Sequence, residues 1–182
     1  MRVLALLLAG LVFMPATADE APDPEEEGYV QFTKDHPLGA PEEGKALVYV
    51  VRPTSAGFAV NSFFLIDDAI AGINKGSSYF FTYVDPGKHV FWSKSENVDA
   101  LELDVEAGRT YYIQQHVRVG GFRARTKLEV LEAAAGEKAL AKCAKHGTMT
   151  AKGQEKGAEI VAEHKEATAK DLERRKREAQ EQ

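Results

Sequence analysis

The sequence predicts a mainly β protein, an antiparallel β-sandwich with a C-terminal helical extension. Three observations lead there. Between Lys45 and Leu131, short apolar or alternating runs recur at strand spacing, separated by turn residues. No segment between them is long enough for a crossover helix, so successive strands join by hairpins and pair antiparallel. After Leu131 the apolar spacing becomes helical, and the chain then passes into a charged tail.

The elements follow in order. The chain begins MRVLALLLAGLVFMPATADE, with Arg2 ahead of an apolar run from Val3 to Met14, then Pro15 and Ala16-Thr17-Ala18. This is the layout of a signal peptide (1–18) cleaved after Ala18, so that the mature chain starts at Asp19. The run is too short to serve as a membrane-spanning helix, and no cysteine follows it for lipid attachment. The expected destination is periplasmic or secreted, with no transmembrane anchor. Residues 19–44 carry nine acids against Lys34 alone, and four prolines. They read as a flexible acidic leader, in which Tyr29, Val30 and Phe32 are the residues able to dock.

Residues 45–132 form the sandwich. ALVYVVR is a strand ended by Pro53; FAVNSFFLID and AIAGI flank a turn at Asp67-Asp68; SSYFFTYV and KHVFWSKS flank Asp85-Pro86-Gly87. In ALELDV, Leu101, Leu103 and Val105 alternate with Glu102 and Asp104, leaving one face wet. Phe64, Phe80, Tyr83, Phe91 and Trp92 are the expected core. Residues 133–147 hold a short helix, read over Gly136 to His146 and stopped by Gly147. Residues 148–182 are a charged, partly helical tail. It is coiled-coil-like in its charges but sustains no a/d heptad, and its pairs Glu166–Lys170, Asp171–Arg175 and Glu173–Arg177 predict a solvated helix held by charge rather than packing.

Little of this sequence looks like chemistry. Net charge is −5, which together with export argues against nucleic acid as a partner. The histidines show no ligand spacing and there is no cysteine pair, so neither a metal nor a cofactor is expected. No nucleophile elbow or phosphate loop is present, and the chain reads as a non-enzyme. Cys143 has two readings: a small apolar residue on a helix face, or an intermolecular disulfide that links two chains into a dimer.

The exception is TYYIQQHVRVGGFRARTKLEVL, a hairpin about Gly120-Gly121. A two-residue loop sets Arg118 opposite Arg123, His116 opposite Arg125 and Gln114 opposite Lys127. Ile113, Val117, Leu128 and Val130 then face the core, and His116, Arg118, Arg123, Arg125 and Lys127 share the other side. Like charges opposite one another cost stability. Three explanations stand side by side: a solvated face that discourages edge pairing, neutralisation by the acidic leader, or docking of an external anion or acidic partner, for which arginine's planar fork is suited.

The runs GKALVYVVRP, SYFFTYVDPGKHVFWS, VEAGRTYYIQQHV and ARTKLEVLEAAAGEKAL, in that order and spacing over residues 44–143, resemble the bacterial DUF2846 family. The resemblance implies a transthyretin- or immunoglobulin-like sandwich in envelope proteins of unknown function, with no catalytic residues to carry over. The expected role is a binding or structural module of the envelope, docking an anionic component or acidic protein. The alternative is an enzyme, or enzyme accessory, acting on envelope glycans.

Overall fold

The computed structural model describes residues 28–119 and 124–180. The signal-peptide reading, the leader from Asp19 to Glu27, and Arg123 lie outside them. Ten strands and two helices occur among the described residues: β1 (Val30–Thr33), β2 (Ala46–Arg52), β3 (Ser62–Ile66), β4 (Ala69–Asn74), β5 (Ser78–Val84), β6 (Gly87–Lys94), β7 (Val98–Val105), β8 (Thr110–Val119), β9 (Ala124–Leu131), α1 (Ala133–Ala141), β10 (Lys145–Met149) and α2 (Ala151–Gln180). They build a six-stranded sheet ordered β1-β10-β5-β2-β8-β9 and a four-stranded sheet ordered β4-β3-β6-β7. The fold is the expected mainly β sandwich with a C-terminal helix. Pairing is antiparallel except between β2 and β8 and between β5 and β10. Those partners are distant in sequence, so the hairpin argument does not reach them.

Apolar residues form three layers. Between the sheets lie Val48, Val50, Phe64, Phe80, Phe91, Ile113 and Leu128. Outside the four-stranded sheet, Phe63, Leu65, Ile73 and Trp92 pack under Ile160 of α2. Outside the six-stranded sheet, Leu47, Tyr49, Tyr79 and Tyr112 pack under Ala139 and Cys143. Of the five aromatics expected in the core, Phe64, Phe80 and Phe91 are between the sheets. Trp92 is buried on the opposite face of β6, beneath α2, because it alternates with Phe91. Tyr83 is half-buried on the outside of the six-stranded sheet, where its hydroxyl donates to the Ala40 carbonyl at 2.7 Å.

Three expectations need correction. The leader is structured from residue 28: β1 pairs with β10, and the segment after it is held by hydrogen bonds from Tyr79 Oη to the Pro37 carbonyl (2.8 Å) and from the Gly39 amide to Tyr49 Oη (2.8 Å). The short helix begins and ends earlier than its apolar spacing indicated, and His146 and Gly147 belong to strand β10. Gly136 sets the helix position, since a Cβ there would overlap the Tyr112 ring. The tail is one continuous 30-residue helix rather than a partly helical one, and one face of it is packed rather than wholly solvated. Thr150 caps it, Oγ1 accepting from the Gly153 amide at 3.1 Å. It crosses the outer face of the four-stranded sheet with Gly153, Gly157, Ile160 and Thr168 buried. A Cβ at 153 would collide with the Tyr29 carbonyl oxygen and one at 157 would come within 2.5 Å of Ile70, so glycine lets the helix approach closely and contact replaces the large apolar residues the tail lacks. No helix among the described residues is long and apolar enough to cross a membrane.

Candidate functional site: a cationic ribbon

The β8–β9 register is Arg118 opposite Arg125, His116 opposite Lys127 and Gln114 opposite Glu129. It is offset by two residues from the two-residue-loop expectation, because pairing already ends at Val119–Ala124 and four residues make the connection. An even offset keeps every side chain on its face. Ile113, Val117 and Leu128 are buried as expected. Val130, expected to be core-facing, is 42 % exposed at the sheet edge.

β2 pairs with β8 only as far as Val51–Gln114. Beyond that point β8 and β9 continue as a two-stranded ribbon of about 15 Å, backed on one side by the four-stranded sheet. On its other side Arg118, Arg125 and Lys127 are exposed. Among the described residues none of the three has a carboxylate within ion-pair distance, whereas Arg109, Lys165, Arg174 and Lys176 each have one. His116 is different. It accepts from Gln114 Nε2 at Nδ1 (3.3 Å) and donates from Nε2 to Glu129 at 2.7 Å, so it belongs to a local polar chain. Arg118 and Lys127 border an open recess of about 500 Å³, whose remaining charges, Glu102, Glu129 and Arg175, pair with Lys176, His116 and Asp99.

Polar groups beneath the ribbon hold it in place. Asn74 Nδ2 donates to Gln115 Oε1 (3.0 Å), Gln115 Nε2 donates to Ser93 Oγ (2.9 Å), and Ser93 shares a hydrogen bond with Thr126 (2.8 Å). All four residues are buried. The outward amides of β9 are also covered: Asn97 Oδ1 accepts from the Thr126 amide and Asp99 Oδ2 from the Leu128 amide, each at 2.6 Å. Arg175 of α2 pairs with Asp99, and Asp171 accepts from the Ala100 amide at 2.8 Å. One open seam of the sandwich is thus closed by side chains, which blocks strand addition there.

Arg52 occupies the same end of the interior. Its guanidinium is wholly buried and donates to the carbonyls of Val60 (2.8 Å), Ala56 (2.8 Å) and Gly57 (2.7 Å), with burial lowering its pKa to about 10. Strict alternation would have located Arg52 and Gln115, since each continues an inward-facing series: Ala46, Val48, Val50 for one and Ile113, Val117 for the other. The Asp99–Arg175 contact joins residues too far apart in sequence for any local pattern.

Cys143, offered as a bridging thiol, is 2 % exposed just past α1, with Sγ 3.4 Å from the Ser78 carbonyl. Burial raises its pKa to about 11. A bridge to a second chain would require α1 to lift away. Among the described residues no three His, Cys, Asp or Glu side chains come together as a metal-holding group.

Comparison with known proteins places the sandwich. Residues 42–127 match the family model described as protein of unknown function, DUF2846. This segment is a DUF2846 domain. The match runs from just before β2 to Lys127 within β9 and so includes Arg52, Arg118 and Arg125. An uncharacterized protein of Haemophilus influenzae (strain ATCC 51907 / DSM 11121 / KW20 / Rd) is 29 % identical over 140 residues, covering 76 % of this chain and 77 % of that protein. No solved structure matches the chain.

Proposed function

We propose that this DUF2846 protein is an exported, non-catalytic binding module of the cell envelope that docks an anionic component on the β8–β9 ribbon. One observation carries the reading: Arg118, Arg125 and Lys127 are exposed on one face and have no ion pair among the described residues, with the two arginines directly opposite each other. That arrangement disfavours folding and is relieved when an anion bridges the two guanidinium groups. The rigid backing by Gln115, Ser93 and Thr126 supports the same reading, since a preorganised face loses less entropy on binding.

Co-sedimentation of the processed protein (Asp19 to Gln182) with envelope fractions at low and high salt tests it. Binding that weakens with salt and is abolished in Arg118→Glu/Arg125→Glu is the expected result. Equal binding by wild type and the double variant overturns it.

A further inference from the structure

We infer that the anionic component is a phospholipid surface, and that the ribbon and the Phe58 loop meet the bilayer together. The inference rests on the proposed anion docking and adds an independent observation. β2 and β8 run parallel, so the loop leaving β2 at Pro53 and the distal part of the ribbon lie at the same end of the sandwich. In that loop Phe58 is 75 % exposed, more than Leu38 and Val130, the other exposed large apolar residues among the described residues.

The loop holds Phe58 outward on a braced support. Arg52 donates from below to three loop carbonyls, the Val60 amide donates to the Gly57 carbonyl at 2.9 Å, and the Ser77 amide donates to the Thr54 carbonyl at 2.9 Å. Gly76 lies so close beneath that a Cβ there would come within 2.9 Å of the Phe58 Cα. Placing an unpaired guanidinium in the interior is costly. The result is an aromatic residue held in water, where a folded monomer gains nothing from it.

Charge at this end matches an anionic surface. The three loops 53–61, 75–77 and 95–97 contain a single acid, Glu96. Lys75, next to the Gly76 that packs under Phe58, lies at the same end of the sandwich as Arg118, Arg125 and Lys127, and none of these four cations has an ion pair among the described residues. An aromatic residue at the headgroup boundary combined with neighbouring cations is the arrangement by which a soluble domain holds an anionic membrane reversibly. An acidic soluble protein would use the cations but would leave Phe58 without a role.

The test uses protein-free vesicles of phosphatidylcholine, with and without phosphatidylglycerol. The expected result is salt-sensitive binding to the anionic vesicles only. Arg118→Glu/Arg125→Glu should lower partitioning at least about thirtyfold, each lost cation being worth roughly fivefold. Phe58→Ala should lower it about tenfold without altering the salt dependence. Phe58→Trp should show a blue-shifted emission on anionic vesicles beyond that of Trp92, which lies buried under α2. Its exposure means these Phe58 variants fold normally, which a melting curve verifies. Binding to envelope fractions but not to protein-free vesicles overturns the lipid inference and leaves the anion-docking function standing. So does vesicle binding unaffected by Phe58→Ala with no shift in Phe58→Trp.

Discussion

At one end of the sandwich the turns carry Asp67, Asp68, Asp85 and Glu106, and each acid has a cation: His89 at 2.6 Å, Lys165 at 3.2 Å, Lys45 at 2.7 Å and Arg109 at 3.1 Å. At the other end Lys75, Arg118, Arg125 and Lys127 have no such partners among the described residues, and a buried cation, Arg52, donates to loop carbonyls and the Ser62 hydroxyl. The first end uses charge to close its turns and to fasten α2. The second keeps its charge available and spends buried polar groups on holding loops in shape. The contrast is between charge used in folding and charge that the described fold leaves without an ion pair.

The largest effect that would break this comparison is at Arg52. Arg52→Met removes the donors to Ala56, Gly57 and Val60 and should cost about 3–5 kcal/mol in denaturant unfolding. A loss under about 1 kcal/mol would mean that the loop does not depend on the guanidinium. Next is the seam. Asp99→Ala leaves the Leu128 amide and Arg175 without their acceptor and should cost about 3 kcal/mol; unchanged stability would show that α2 is not fastened there.

A smaller effect concerns His89. Burial opposes its charge, but the Asp67 carboxylate and the Asp85 carbonyl outweigh burial and raise its pKa above 6.5. A raised folded pKa makes this contribution complete below pH 6.5 and removes it as pH rises through the folded value. Melting temperature plotted against pH should therefore fall over that window for wild type relative to His89→Gln. Parallel curves would detach His89 from the paired end. The smallest effect has the opposite sign. Arg125→Glu places an acid opposite Arg118 and should stabilise the fold by about 0.2–1 kcal/mol, whereas destabilisation would show that the basic face already serves folding.

Much of the sandwich was legible in the residues. Turn pairs such as Asp67-Asp68, where Asp67 takes a positive φ of 51°, and the alternation in ALELDV locate strands through local sterics and local burial. The cationic face was legible too, because a period-two pattern survives an even slip in register. The tail was not. Its few large apolar residues argued for solvent, but glycines at 153 and 157 admit the helix to the sheet, and the partners of Asp171, Arg175 and Lys176 lie on β7.

The sequence alone determined the mainly β sandwich, its antiparallel hairpins, the identity of its turns and the segregation of Arg118, Arg125 and Lys127 from the apolar side, all of which follow from neighbours within a few residues. Only the tertiary structure decided that β2 runs beside β8, that Arg52 braces the Phe58 loop, and that α2 closes the seam through Asp99. These depend on which distant segments share a surface. That choice is made by the summed packing of the whole chain, which no local pattern carries.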